Sequence, residues 1–287
     1  MRVYWHGGVS GTPTPHRPAH EVAAAAARGS KDAVDAVEAT VRALEDDPVL
    51  NAGYGAVLNS AGRIELDAGI ADGGGRCGSV AGVAVRHPVS LARFVMEHTP
   101  HVFMAGAGAT LLGRRAGFEE LDASTPEQHE RWRRKMSGAG AAGDYGRADQ
   151  VETVGAVALE DGGNLSAGSS TGGVWGQEEG RVGDSAVFGA GFYAATGAAV
   201  VGTGLGELFI QTLACARVGA LLHEGLSPQD ACERVLEILA AARPAPAGLL
   251  ALDGDGRVGA AYRGASWVVA GPDGVLEARC VGPAGAA

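Results

Sequence analysis

The sequence predicts an α+β protein in which β-sheets pack face to face and helices cover their outer sides. Strand-like segments come in clusters that alternate with clusters of helices, which argues against a βαβ repeat. Hydrophobic residues make up 46% of the chain but aromatic residues only 5%, so the core must be built mainly from Ala, Val and Leu. A chain of 287 residues is long enough for one large domain that spans 1–287.

The first half of the chain begins with a strand, RVYWHGG, and a loop broken by proline and glycine, VSGTPTPHRP. Helices are predicted at 19–28 and 31–46, because apolar residues of the second recur at helical spacing until Pro48 ends it. Short strands and tight turns are predicted over 49–86. The next helix, PVSLARFVMEH, follows at 88–98 with apolar residues at helical spacing.

A linker separates the two halves of the chain. The helix EQHERWRRKM before it is predicted to begin with a capping box made by Ser124 and Glu127. Residues 137–151 then lose all periodicity and are rich in Gly, Ala and Asp, as a flexible surface linker is. Neither half of the chain has the pattern of a domain that would fold by itself.

Strands and helices resume directly after the linker. Strands are predicted at 153–160, 165–171, 186–194 and 198–203. Helices are predicted at about 206–224 and 227–241, the second begun by Ser227 and Pro228. Two hairpins with DG turns end the chain, LLALDGDGRVGAAYR and SWVVAGPDGVLEARC.

Charge and cysteine content exclude several classes of protein. A net charge of −10 argues against nucleic acid or a membrane surface as partner, but not against an anionic small substrate held by a local arginine. Neither a secretory signal nor an apolar run of about 18 residues is evident, so a cytoplasmic protein is expected. The cysteines are widely spaced without a CxxC pair, which favours reduced thiols: Cys77, Cys215, Cys232 and Cys280.

A threonine, Thr153, stands at the head of the apolar strand VGAVAL, directly after Glu152 and the linker. β-Branching alone suits the start of a strand, but the peptide bond before Thr153 also lies where a cut disturbs no packed element. An alcohol is a weak nucleophile unless a base takes its proton. A cut before Thr153 makes that base, because a free α-amino group has a pKa of about 7.7–8.0 whereas an amide accepts no proton.

Motifs along most of the chain resemble those of one known family. They are HGG at 6–8, LEDDPVLNAGYGAVLN at 44–59, ELDAGIADG at 65–73, HPVSLARFVMEHTPHVFMAGAGA at 87–109, TVGAVALEDGGNLSAGSSTGG at 153–173, GRVGDSAVFGAGFYA at 180–194 and GTGLGE at 202–207. The sequence resembles the plant-type L-asparaginase/isoaspartyl aminopeptidase family of N-terminal nucleophile hydrolases. The resemblance implies a four-layer αββα sandwich and autocleavage into an α chain, 1–152, and a β chain, 153–287.

The resemblance also implies catalytic roles for particular residues. Thr153 would be the nucleophile, freed when its own hydroxyl attacks the carbonyl of Glu152, and Thr171 would lie beside it. The hydroxyl of Thr203 and the backbone N–H of Gly204 would form the oxyanion hole, which stabilises the charge developing on the substrate oxygen. No catalytic cofactor is implied.

The implied substrate is a small amino acid or dipeptide with an L-aspartyl unit. Arg181 would clamp its α-carboxylate with a planar fork. Asp184, with the carbonyl of Gly206, would take its α-amino group. The side-chain amide of L-asparagine, or the isopeptide bond of a β-aspartyl dipeptide, would then be hydrolysed through a β-aspartyl ester on Thr153.

The segment LEDDPVLNAGY resembles the family's sodium-binding loop, so the resemblance implies a structural sodium ion. Its ligands would be the main-chain carbonyls of Leu44, Glu45, Asp47, Leu50, Ala52 and Tyr54. The ion would shape the loop near the nucleophile without taking part in the chemistry. The family's habit also implies a homodimer of αβ heterodimers.

The sequence departs from the family pattern at four positions. Glu152 stands where relatives with asparaginase activity usually have Gly and the glycosylasparaginase branch has Asp. Val9 and Ser10 replace the usual small residues after HGG, and Ala186 replaces the usual Pro after GDS. Two alternative functions therefore remain open, a glycosylasparaginase-like amidohydrolase and an unprocessed, catalytically silent paralogue that only binds amino acids.

Other signals are read as structural. Without the threonines, Arg181 and Asp184 would be interpreted as a plain surface ion pair; with them, substrate binding is favoured. His6 in the HGG turn is interpreted as a structural hydrogen-bonding residue. The glycine-rich stretches GAGATLLG and GTGLGE resemble phosphate loops, but 47 glycines make such matches expected by chance, and no GK[ST] follows.

Overall fold

The computed structural model describes residues 1–10, 19–121, 124–137 and 153–282. Over these ranges the chain is a mixed α+β protein, as the sequence predicts, and it has two β-sheets and eight α-helices. Within the same ranges, no helix has both the length and the apolar character needed to cross a membrane.

The larger sheet interleaves strands from the two halves of the chain. In spatial order its strands are β12 (Gly274–Leu276), β11 (Ser266–Gly271), β1 (Arg2–Ser10), β5 (Val154–Leu159), β6 (Leu165–Thr171), β2 (Leu66–Asp72), β3 (Cys77–Val83) and β4 (Phe103–Ala105). β5 pairs antiparallel with β1 on one side and with β6 on the other, and β6 pairs with β2. A cut in the linker would therefore leave both fragments hydrogen-bonded in one sheet.

The smaller sheet comes entirely from the second half of the chain. Its strands are, in order, β13 (Arg279–Cys280), β10 (Val258–Arg263), β9 (Ala247–Asp253), β8 (Ala198–Gly204) and β7 (Phe192–Ala195). A buried apolar cluster from both sheets, including Val157, Val201 and Leu250, lies between them. The sheets approach closely at Gly69, where a Cβ would collide with the ring of Phe192.

Helices from each half contact a different sheet. The helices are α1 (Ala19–Ala26), α2 (Ala33–Glu45), α3 (Pro88–His98), α4 (Gly106–Arg115), α5 (Pro126–Met136), α6 (Gly206–Thr212), α7 (Ala214–His223) and α8 (Pro228–Ala242). α2 and α3 contact the larger sheet, whereas α7 and α8 contact the smaller one. The predicted start of α8 is confirmed, because the hydroxyl of Ser227 accepts a hydrogen bond from the Asp230 N–H and Pro228 follows it.

Several element boundaries differ from the sequence prediction. The strand expected at 186–194 is wrong over most of its length, because a 3₁₀ turn at Asp184–Ala186 comes first and the strand occupies only 192–195. The single helix expected at about 206–224 is two helices, since Leu213 adopts a left-handed conformation with φ of 51° and breaks the hydrogen-bonded ladder.

Two features near α4 and α5 also differ. α4 covers the GAGATLLG stretch. The sequence prediction missed this helix because glycine has a low helix propensity. The capping box expected from Ser124 is wrong, because the Gln128 N–H donates to the hydroxyl of Thr125 instead. The hydroxyl of Ser124 donates to the carbonyl of Ala56 and so ties α5 to a neighbouring loop.

Candidate active site

Two threonine hydroxyls meet where β5 begins and β6 ends. The Thr153 hydroxyl donates to that of Thr171 across 3.1 Å, and both side chains are buried. Thr171 also accepts a hydrogen bond from the Gly173 N–H at 3.1 Å, which fixes its oxygen. Since β5 is paired on both sides, the strand that follows Thr153 holds this residue rigidly. The prediction that Thr171 lies beside Thr153 agrees with this distance.

Thr203 and Gly204 lie at the end of β8 on the facing sheet. Thr203 is fully buried, and within the described ranges its hydroxyl oxygen has no hydrogen-bond partner. Thr203 pairs with Gly248, where the indole of Trp267 would touch an added Cβ.

The indole of Trp267 is close to the strand partners of both β8 and β5. Trp267 lies 5.5 Å, between ring centroids, from His6, which pairs with Gly155 of β5. A Cβ on Gly155 would also lie 3.1 Å from Val201, two residues before Thr203. Thr203 and Thr153 therefore occupy the same end of the two stacked sheets.

The side chains of Arg181 and Asp184 converge on Gly206. A Cβ on Gly206 would lie 2.8 Å from Nη2 of Arg181 and 2.9 Å from Oδ1 of Asp184. The two side chains are not a surface ion pair, because Asp184 is buried. The guanidinium of Arg181 donates hydrogen bonds to Glu207, with Nε–Oε1 at 3.1 Å and Nη2–Oε2 at 3.2 Å, and to Oε1 of Gln177. A Cβ at position 206 would therefore displace one of these two charged side chains.

The carboxyl group of Asp184 has a raised pKa and an oxygen without a hydrogen-bond partner among the described residues. Burial raises its pKa to about 7, although the nearby Arg181 guanidinium acts in the opposite direction. Its Oδ2 has no hydrogen-bond partner in the part of the chain that the structure describes. An unpartnered buried carboxyl oxygen beside a glycine is suited to a cationic group of a ligand.

Sequence reasoning missed two charged residues of this region. Glu207 follows Gly206 directly and holds the guanidinium of Arg181 by two hydrogen bonds. Asp67, at the start of β2, is fully buried and accepts a hydrogen bond from the Gly183 N–H. A signal was present for Asp67, because an acidic residue at the head of the apolar strand LDAGIA needs a partner once it is buried.

The loop expected to bind sodium has carbonyl groups that converge on two glycines. A Cβ on Gly53 would collide with the carbonyl of Glu45, and one on Gly55 would collide with the carbonyls of Leu50 and Asp47. Main-chain carbonyl oxygens are hard donors that suit such a cation. The carbonyl of Glu45 faces one glycine, those of Leu50 and Asp47 face the other, and the carbonyls of Leu50 and Asp47 accept backbone N–H groups of the loop, so the sodium site stays a prediction.

The remaining predicted positions are placed as follows. Glu152 lies outside the described residues, as does the side chain of Ser10. Val9 is fully buried in the apolar layer between the sheets, and Ala186 is buried in the 3₁₀ turn. The ring of His6 is buried against Trp267, as a structural residue would be.

Comparisons with known proteins find relatives that match most of the chain. A family model described as asparaginase matches residues 14–274. The isoaspartyl peptidase of Salmonella typhimurium is 44% identical over 79% of this chain and 76% of its own length. The plant-type L-asparaginase of Thermococcus kodakarensis is 39% identical over 81% and 80%. An N(4)-(β-N-acetylglucosaminyl)-L-asparaginase of Elizabethkingia miricola is 39% identical over 73% and 62%.

A match of this extent shows the family. The chain belongs to the asparaginase family, together with plant-type L-asparaginases and isoaspartyl peptidases, and is an enzyme of the N-terminal nucleophile hydrolase class.

Proposed function

We propose that this enzyme cleaves itself before Thr153 and then hydrolyses L-asparagine and β-aspartyl dipeptides. The observation that supports this most is the buried hydrogen bond of 3.1 Å between the hydroxyls of Thr153 and Thr171, at the head of a strand paired on both sides. The proposed architecture is a four-layer αββα sandwich, in which the helices that contact each sheet form the outer layers.

The proposed cut falls between Glu152 and Thr153. It gives an α chain, 1–152, and a β chain, 153–287, which stay together because strands of both lie side by side in the larger sheet. The new α-amino group of Thr153 then takes the proton of its own hydroxyl, since its pKa of about 7.7–8.0 in model compounds suits proton transfer near neutral pH.

Substrate recognition is assigned to the charged groups around Gly206. The guanidinium of Arg181 binds the substrate α-carboxylate, and Glu207 holds that guanidinium in place through two hydrogen bonds. Asp184 and the carbonyl of Gly206 bind the α-ammonium group. This assignment is supported by Oδ2 of Asp184, which is buried and has no hydrogen-bond partner in the described ranges.

The reaction has two steps in this proposal. The hydroxyl oxygen of Thr153 attacks the side-chain carbonyl carbon of the aspartyl unit while the α-amino group accepts the proton. The negative charge on the carbonyl oxygen is stabilised by the Thr203 hydroxyl and the Gly204 N–H. The proton passes to the leaving nitrogen, ammonia or an amine departs, and water then hydrolyses the β-aspartyl ester to release aspartate.

A sodium ion at the loop over residues 44–54 is part of the proposal. When bound, it supplies a fixed positive charge that organises carbonyl oxygens, among them those of Glu45, Asp47 and Leu50. Asn51 of the same loop donates a hydrogen bond to the carbonyl of Gly173, whose N–H holds Thr171. Hydrogen bonds therefore connect this loop, through Gly173, to Thr171, whose hydroxyl accepts from that of Thr153. We also propose a homodimer of αβ units.

A second candidate is hydrolysis of glycosylated asparagine. It is favoured by the relative from Elizabethkingia miricola, which is named for that activity. The carboxylic acid at Glu152, where that branch carries Asp, points the same way. A catalytically silent, amino-acid-binding protein is the third candidate.

A substrate panel on fully processed enzyme tests these candidates. Release of aspartate from L-asparagine, a β-aspartyl dipeptide and a glycosylated asparagine is measured on one preparation. The proposal expects turnover of the first two. Turnover confined to the glycosylated substrate would support the second candidate, and absence of turnover on all three would support the silent protein.

A further inference from the structure

The geometry points to Asp67 as a positioning residue that holds the turn carrying Arg181 and Asp184 in register with the nucleophile pair, and so sets the affinity for the aspartyl unit. This inference rests on the proposed function. It adds a residue that makes no substrate contact in that proposal and acts through the groups that do.

Both carboxylate oxygens of Asp67 are used by backbone donors from different segments. Oδ2 accepts from the Gly183 N–H at 2.6 Å, and Oδ1 accepts from the Gly82 N–H at 2.9 Å. Gly183 lies between Arg181 and Asp184, so the first bond fixes the backbone from which both side chains project. Asp67 therefore ties this turn to β2 and β3 at once.

The fold is adapted locally to supply the second donor. Between Leu66 and Ala68 the pairing of β2 with β3 shifts, because Val83 and Val80 are the respective partners and β3 has one extra residue. Such a bulge re-aims backbone groups. Gly82 lies within it with φ of +59°, a left-handed conformation that glycine adopts without steric cost.

Asp67 also lies directly beside Thr171, the hydrogen-bond partner of Thr153. In the antiparallel pairing of β2 with β6, Asp67 is opposite Thr171. Side chains of opposite residues emerge on the same face, with Cβ atoms roughly 4.5–5.5 Å apart. The path from nucleophile to clamp is then Thr153, Thr171, Asp67 and Gly183, with hydrogen bonds at each end.

Burying a carboxylate costs desolvation free energy, which a merely structural position would not require. Asp67 is fully buried, and burial raises its pKa to about 6 although both N–H donors and Arg181 favour the charged form. The turn has a separate anchor, since the Ser169 hydroxyl on β6 donates to that of Ser185 at 3.0 Å. Because folding of the turn does not depend on Asp67 alone, its role is fine placement.

The guanidinium of Arg181 is close enough to respond to a shift of this turn. A Cβ on Gly183 would lie 2.8 Å from Nη1 of Arg181 and 3.3 Å from Oδ2 of Asp67. In Asp67→Asn, one of the two backbone N–H groups faces an amide donor instead of an acceptor. The turn then moves away from β2 and takes Arg181 and Asp184 with it.

The test compares Asp67→Asn with a matched control, Asp72→Asn, at the other end of the same strand. Steady-state kinetics on L-asparagine are normalised to the processed fraction, and the dissociation constant of L-aspartate is measured by calorimetry. For Asp67→Asn we expect normal processing, with KM and the L-aspartate Kd raised roughly tenfold to a hundredfold and kcat changed less. The control should match the wild type in all four quantities. Asp67→Ser, which keeps one oxygen acceptor, should behave like Asp67→Asn and replaces it if that variant does not fold.

The outcomes separate this inference from the proposed function. A wild-type KM and L-aspartate Kd in a folded Asp67 variant, with any loss confined to kcat or Tm, would overturn the positioning role and leave the proposed function intact. Wild-type enzyme that neither turns over the substrates nor binds L-aspartate would overturn both. If the wild type binds L-aspartate without turnover, the change in Kd still decides the role of Asp67.

Discussion

The hydroxyl of Thr153 donates a hydrogen bond of 3.1 Å to the hydroxyl of Thr171, and only 3% and 2% of the two residues is exposed. Thr171 is in turn held by the Gly173 N–H. A nucleophile needs a fixed position more than it needs strong acidity, since misplacement by about 1 Å costs up to a hundredfold in rate. β5 and β6 supply that position through their pairing.

Replacing Thr153 should separate self-cleavage from folding. In Thr153→Ala the attacking oxygen is gone, so we expect a single uncut chain that folds and releases no ammonia from L-asparagine. Thr153→Ser keeps the oxygen and should still be cut and active, at a reduced rate. Denaturing gels and an ammonia assay give both readouts. Ammonia release by Thr153→Ala would refute the nucleophile assignment.

Arg181→Ala should impair substrate binding while leaving self-cleavage unchanged. The guanidinium is proposed to bind the α-carboxylate, and a lost charged hydrogen bond costs about 1.5–3 kcal/mol, or roughly tenfold to a hundredfold in KM. Arg181→Lys should recover little, because an ammonium cannot reproduce the two bonds to Glu207. Steady-state kinetics on both variants check this, and an unchanged KM in Arg181→Ala would contradict it.

Substrate affinity should depend on pH through Asp184. Its pKa is raised to about 7, so below that pH the carboxyl is neutral and attracts an α-ammonium group weakly. Arg181, Glu207 and Asp67 are the charged groups that face it. The L-aspartate Kd should therefore fall as pH rises from 5.5 to about 7, by up to about tenfold per unit, and then level off. A Kd independent of pH over this range would argue against Asp184 as the ammonium site.

The carboxyl group of Asp184 should lower the free energy of unfolding at neutral and alkaline pH. A folded-state pKa raised above the usual 3.8 means that the folded chain binds more protons than the unfolded one between pH 4 and 7, so this contribution to stability falls as pH rises. Asp184→Asn should thus match the wild type near pH 4 and be more stable at pH 8, by on the order of a few kcal/mol. Tm measured across this range checks the difference. A constant difference in Tm, or a larger one at low pH, would contradict the account.

The sequence predicted the parts of this protein that depend on local pattern. The prediction agrees with the structure for β1, β5, β6, β8, α2, α3, α8 and the two C-terminal hairpins, because periodicity, caps and DG turns are local signals. The break at Leu213 and the helix over GAGATLLG were not foreseen, since a left-handed leucine and a glycine-containing helix are decided by packing. The family resemblance brought the site residues to attention, and most of their contacts lie between segments distant in sequence.

Asp67 and Glu207 show why a sequence argument stops short of the complete site. Asp67 and Gly183 are 116 residues apart, and Arg181 and Glu207 are 26 apart. Each lies within a quoted motif, ELDAGIADG or GTGLGE, without a predicted role, because its importance depends on what it touches in three dimensions. Burial of Asp67, with both of its oxygens bonded to backbone N–H groups, is a property of the folded sheet alone.

The most direct test of the central claim is intact-mass analysis of freshly purified protein during maturation, with activity measured at each time. The account predicts two fragments, the second with Thr153 as its free N-terminus, and activity in proportion to the processed fraction. Full activity in a single species of full-length mass, with Thr153 still joined to Glu152, would contradict it.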